Sequence, residues 1–290
     1  MEMENNMKIN LFKLGIEVTR RCNQRCDRYC MRGPTQDLDF NDTRMIDHIF
    51  ESNDFGYIKS INFSGGEPTL NPAIIVYTIN KIIENNLDVR EVVMVTNGLK
   101  YNPEIVKAFK KFNEYRNARV LPEIREMYSD LEERILNDQL EINTDEHARV
   151  TFSTDQFHRP IKPEVIEIYH REGKGIRFTE TGEKKEQYIN QAGYSNNGKE
   201  IDYLESVVIM PDGKNSLLIS GTIYVTATGH YAVGGDGEYT KMDEINCGHI
   251  TDVTIHNVIA NFGSTKDEKL KTILESWKNH NQINNLPRKL

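Results

Sequence analysis

The chain has 290 residues, a net charge of -8, a hydrophobic share of 38% and a charged share of 28%. That length allows one large core or two modest ones, and the acidic balance speaks against a duplex-gripping surface, which needs clustered Lys and Arg. No run approaches the roughly 18 apolar residues of a spanning helix, and the polar start from Met1 to Asn10 lacks the basic-then-apolar order of a secretory signal, so no membrane and a cytoplasmic location are expected.

In chain order, Ile16 to Thr19 reads as a short strand that runs into a cysteine-bearing loop. Asn41 or Asp42 then caps a helix with Met45, Ile46, Ile49 and Phe50 at helical spacing. Ile58 to Phe63 is a second strand, closed by Ser64-Gly65-Gly66-Glu67-Pro68. Asn71-Pro72 starts a helix, since Pro suits a first turn whose N–H is unneeded, and Ile75, Ile79, Ile82 and Ile83 supply its buried stripe. Val92 to Val95 is a continuous apolar run, as in a parallel strand covered on both faces, and it ends in Thr96-Asn97-Gly98.

A helix from Pro103 to Phe112 follows, then an extra helix with Ile124, Met127, Tyr128, Leu131 and Ile135 on one face. Arg149 to Ser153 is a fourth strand and Val165, Ile168 and Tyr169 mark a fourth helix, before a strand at Ile176 to Thr179. This alternation is the signature of an α/β fold with parallel strands. Residues 180 to 215 are polar, with a helix expected around Lys184 to Asn190. Thr222 to Thr226 and His230 to Val233 form a hairpin through Thr228-Gly229. Helices near Thr254 to Phe262 and Lys266 to Asn279 close the chain, the Lys-rich last segment reading as a solvated helix face.

Four cysteines are too few for a disulfide scaffold, and three fall within nine residues: Cys22, Cys26 and Cys30. Thiolates are soft ligands that suit iron–sulfur clusters and zinc. Three on one loop hold three corners of a cubane whose fourth iron is then left for another ligand. Cys247 stands apart and reads as a small packed residue.

The run Cys22-Asn23-Gln24-Arg25-Cys26-Asp27-Arg28-Tyr29-Cys30 resembles the radical S-adenosylmethionine (SAM) superfamily, whose members carry C-x3-C-x2-C after the first strand of a partial barrel, with an aromatic residue before the third cysteine. Here the second gap is three residues, so the motif is C-x3-C-x3-C, and Tyr29 stands at the aromatic position. The resemblance implies a partial (β/α)6 TIM-type barrel over 12–180, with a helical insertion at about 118–140. Residues 181–290 would complete the barrel and form a small C-terminal hairpin-and-helix extension over its mouth.

It further implies a [4Fe–4S] cluster on Cys22, Cys26 and Cys30 that binds SAM at the free iron. An electron, from a donor such as flavodoxin or ferredoxin, then cleaves SAM to a 5′-deoxyadenosyl radical that takes hydrogen from a peptide or small-molecule substrate. Gly65, Gly66 and Glu67 match the superfamily's Gly-Gly-Glu turn, which meets the SAM amino group; Asn97 falls where the methionyl part is approached, and Ser153 and Asp155 where ribose hydroxyls are. The plain readings of these positions are a strand-to-helix turn, helix capping and Asx-turns. Phe157 and His158 are candidates for a base or substrate contact, His158 reading first as a structural hydrogen-bonder. Two other functions stand beside the enzyme: an inactive cluster- or SAM-binding regulator, and a zinc-binding structural protein.

Overall fold

The computed structural model describes residues 7–26, 36–127, 147–155, 158–182, 207–212, 216–234, 239–244 and 246–264, with single or paired positions between 266 and 275. Tyr29, Cys30, Phe157, the rest of the helical insertion and the helix expected at Lys184 to Asn190 lie outside the described residues.

Strands β1 (Lys8–Thr19), β2 (Phe55–Gly65), β3 (Val89–Thr96), β4 (Ala148–Phe152) and β5 (Arg177–Glu180) alternate with helices α1 (Thr43–Glu51), α2 (Pro72–Glu84), α3 (Pro103–Met127) and α4 (Pro163–Glu172). All five strands are parallel. Then come β6 (Val207–Pro211), β7 (Ser216–Val225), β8 (Tyr231–Val233), α5 (Tyr239–Glu244), α6 (Ile255–Phe262) and β9 (Gly263–Ser264). The sheet is open, in the order β5-β4-β3-β2-β1-β7-β6-β9, with β8 paired to β7. This is the open, largely parallel α/β sheet that the alternation predicts.

Three features differ from expectation. The first strand is three times longer than the four-residue run expected, because residues N-terminal to Ile16 pair on both sides, with β2 and with β7. The hairpin of β7 and β8, turned through Gly229 at φ +81, is built into the main sheet rather than appended. β1 lies between β2 and β7, so its backbone N–H and C=O groups are paired along both edges. Finally, the extra helix is not separate over its described part, since α3 continues unbroken from Pro103 to Met127.

One face of the sheet is apolar and buried. Leu14, Ile61 and Val92 lie in register across β1, β2 and β3, as do Ile16, Phe63 and Met94 one step higher. They join Ile75, Ile79, Ile105, Phe109 and Tyr169 of the helices in a single core. Because side chains alternate along a strand, residues between these point to the opposite, inner face. There the Tyr224 ring lies over Gly15, where a Cβ would collide with it, and its hydroxyl is 2.8 Å from Ser64 Oγ. Thr151 and Thr179 pair at 2.8 Å on the same face.

Several buried polar contacts hold the top of β1. Arg20, 1% exposed, donates from Nε to Glu17 at 3.2 Å and from Nη1 and Nη2 to Asp243 of α5 at 2.7 and 2.6 Å, with a further bond to Gln36. Its guanidinium stacks over the Tyr239 ring at 4.7 Å. Glu17 also accepts from the Ala227 amide at 2.7 Å. Removing one partner of a buried ion pair leaves the other charge without compensation, at a cost of about 3–5 kcal/mol. Arg20→Met is therefore expected to lower unfolding stability by that order in urea titration, and Asp243→Asn, whose carboxylate is partly exposed, by less.

Two histidines in the C-terminal half have their proton affinity lowered by burial. Burial pushes His230 below its ordinary value, with the neighbouring His249 adding to the effect, and burial does the same to His256 in α6. A depressed histidine binds fewer protons folded than unfolded, so its share of stability is whole above about pH 6.5 and is lost as pH falls through the folded value. The urea midpoint should fall between pH 7 and pH 5, and fall less in a His230→Gln/His256→Gln variant.

Candidate functional site

The site is built on a loop closed at its base. Chain entering it from β1 and chain leaving it meet at the Thr19–Asp39 bridge, with backbone bonds from Arg20 N to Leu38 O and from Phe40 N to Val18 O. Arg21 grips Asp39 with two bonds of 2.8 and 2.6 Å and reaches Leu70 O with a third. Asn71, expected to serve the start of α2, makes no side-chain cap bond. Its amide instead donates to Val18 O at 2.6 Å and Phe40 O at 3.2 Å, spanning both legs of the loop.

The Gly-Gly-Glu turn lies against that base. Gly66 N donates to Thr19 O and Glu67 N to Arg21 O, both at 2.8 Å. Gly65 holds φ +137, and a Cβ on it would strike Thr19 O, while one on Gly66 would strike Arg21 O. Glycine is needed at both positions because two backbones run in contact. The contact carries the end of β2 to the residue before Cys22.

Glu67 has no exposed surface. Its Oε1 accepts from the Thr69 amide (3.1 Å), the Thr69 hydroxyl (2.7 Å) and the Thr96 hydroxyl (2.7 Å), and its Oε2 from the Asn97 amide (2.8 Å). The carboxylate thus ties the tip of β2 to the tip of β3. Asn97 carries the link onward: its Nδ2 donates to Asn23 Oδ1 at 2.8 Å and lies 3.8 Å from Cys22 Sγ.

At the tip of β4, Ser153 N donates to Thr96 O at 2.8 Å, and Ser153 and Asp155 are both buried. Asp155 Oδ1 is 2.7 Å from His158 Nδ1, and the His158 amide donates to Asp155 O. The His158 ring therefore bonds within its own turn. Cys22 is half-buried and Cys26 buried. The structure thus gathers Cys22, Gly65, Gly66, Glu67 and Asn97, with Ser153 joined through the Thr96 backbone.

Sequence reasoning missed the clamp of Arg20, Arg21, Asp39 and Asn71. A signal was present: two arginines immediately before the first cysteine and acidic residues at 37 and 39 after the third. The donor set fits an iron–sulfur cluster, since two cysteines share a clamped loop and one sulfur lies near an amide N–H. Cys247 is remote from this chemistry in character. It is 2% exposed, burial pushes its thiol up to about 12, and its amide bonds Tyr231 O. Among the described residues, no three His, Cys, Asp or Glu side chains group into a metal site, and no helix is long and apolar enough to cross a membrane.

Comparison with known proteins bears on this arrangement. No curated protein matches the sequence. Native anSMEcpe with bound AdoMet and Cp18Cys peptide aligns over 92% of this chain and 83% of its own, at 12% identity and a TM-score of 0.48. Streptococcus suis SuiB bound to precursor peptide SuiA aligns over 79% and 60%, at 13% identity and a TM-score of 0.32. Those likenesses carry no argument about what this chain acts on. A family profile described as the Radical SAM superfamily matches residues 16–124, from within β1 into α3. That span holds the cysteine loop, the Gly-Gly-Glu turn and Asn97, and over it the chain is similar to the Radical SAM superfamily.

Proposed function

We propose that the chain is a radical SAM enzyme acting on a peptide or small-molecule substrate, with Cys22, Cys26 and Cys30 holding a [4Fe–4S] cluster. The observation that supports this most is Asn97, whose backbone and side chain join the Gly-Gly-Glu turn, the cysteine loop and the tip of β3. A plain strand-to-helix turn has no need of that junction. When bound, the cluster and SAM supply a 5′-deoxyadenosyl radical, the electron coming from a flavodoxin- or ferredoxin-type donor.

The chain's own residues bind and orient. Gly65 and Gly66 offer backbone groups to the SAM amino group, and Glu67 acts by positioning them, since its oxygens are engaged by Thr69, Thr96 and Asn97. Asn97 orients Cys22 and meets the methionyl part, Tyr29 serves as the aromatic residue next to Cys30 in the cysteine motif, and Ser153 and Asp155 serve the ribose. His158 steadies Asp155.

Anaerobic reconstitution with iron and sulfide, followed by SAM and a strong reductant, should yield 5′-deoxyadenosine by mass spectrometry, and Cys30→Ala should abolish it. Loss of a partner that orients a metal ligand costs about 10–100-fold in affinity or activity. Asn97→Ala is expected to lower the yield by that factor while iron content stays near the wild-type level. An iron-loaded protein that binds SAM but never cleaves it would instead be a regulator, and one that takes up zinc alone would be structural.

A further inference from the structure

The inner face of the sheet carries charge of the sign opposite to the chain as a whole. Asn62, Val93, Arg149 and Arg177 stand in register across β2, β3, β4 and β5. The next residues along β4 and β5, Val150 and Phe178, also pair and face the helices, Val150 in the core and Phe178 packed against it. Alternation then puts Arg149 and Arg177 side by side on the inner face. Lys13, Ser60 and Glu91 are matched one step lower on β1, β2 and β3. Among the described residues, Lys13, Arg149 and Arg177 thus share this part of the inner face with Glu91, while Glu17, higher on β1, is engaged by Arg20 and the Ala227 amide, within a protein whose net charge is -8.

Like charges directly opposite one another on a sheet are destabilising. Glu91 offsets part of this, with its Oε1 3.4 Å from Arg149 Nε, both side chains about one-third exposed. Arg149 Nε is nonetheless buried without a hydrogen bond. Arg177 is exposed, and among the described residues no carboxylate pairs with it. Two guanidinium groups on neighbouring strands, only one of them neutralised, make a fork suited to an oxyanion.

Their position relates them to the proposed chemistry. Arg149 lies four residues below Ser153 along β4, about 13 Å at ~3.3 Å per residue. Ser64, Val95, Thr151 and Thr179 occupy the intervening inner positions, and Val95 is 41% exposed. A molecule reaching from the strand tips down the inner face meets small polar groups, one apolar side chain and then the two arginines.

Resting on the radical SAM reading, we infer that the substrate is anionic, with a carboxylate or phosphate held by Arg149 and Arg177 and its reacting carbon at the strand tips. Glu91 is a positioning residue that holds Arg149 extended, and Arg177 supplies the open charge.

The test is calorimetric titration of the full, anaerobically reconstituted, SAM-loaded chain with inorganic phosphate and, separately, with glutarate. One of the two is expected to bind with a dissociation constant of about 1 mM, and which one binds identifies the group. Arg177→Gln, an exposed change that leaves the fold intact, should weaken binding at least about tenfold, with Arg177→Lys retaining part of it. Arg149→Gln/Arg177→Gln should abolish it. Titrating the reconstituted chain with SAM before it is loaded should give the same affinity for wild type and variants. Absence of binding by either anion, or equal binding by wild type and Arg177→Gln, overturns the inference. A wild type that binds no SAM in that titration but still binds the anion would overturn the enzyme reading instead.

Discussion

Two stretches of backbone in contact organise this molecule. Gly65 and Gly66 run against Thr19 and Arg21 so closely that a methyl group on either glycine has no room. From that contact follow the height at which β2 ends, the place where the cysteine loop begins, and the inward turn of Glu67. A carboxylate buried in this way would be costly alone. Here four donors from Thr69, Thr96 and Asn97 surround it, so the energy of satisfying one charge is used to bring two strand tips into a fixed relation. The Gly-Gly-Glu sequence is then a structural requirement before it is a binding motif.

The second level of organisation reaches across the chain. Arg20 lies two residues before Cys22, yet its strongest partner, Asp243, is 223 residues away. Glu17 extends the same link to the Ala227 amide. The C-terminal hairpin and α5 are therefore part of what holds the cysteine loop, and the sheet agrees, since β7 pairs directly with β1. The division at residue 180 that composition implies marks a change of rhythm, while the packing of β1 depends on both sides of it.

Much of this was legible from residue patterns. The strand–helix alternation, the Pro72 helix start, the strand at Val92 to Val95, buried as far as Met94, and the turn at Gly229 follow from local rules that tertiary structure did not override. What was not legible depended on distance along the chain. β6 was read as part of a polar stretch because Val207–Pro211 is short, and its meaning comes only from pairing antiparallel with β7. Asn71 looked like a cap, as Asn before Pro ordinarily does, but its amide goes to Val18 and Phe40. The roles of Arg20 and Asp39 were hidden for the same reason: a charge shows its sign in a sequence and its partner only in a fold.

The inner face shows how that distinction bears on function. Arg149 and Arg177 are 28 positions apart and unremarkable in sequence, one inside an apolar-flanked strand and one at the start of another. Parallel pairing places them side by side, and the same register puts Val150 and Phe178 on the helix side. Core burial of Val150 and Phe178 therefore forces both guanidinium groups inward, whatever their mutual repulsion. A slip of one residue in the β4–β5 register would relieve that repulsion but would move the apolar partners out of the core. Hydrophobic burial and register thus hold open a pair of positive charges that the sheet by itself has no reason to keep, and an anionic ligand would turn that electrostatic cost into binding energy.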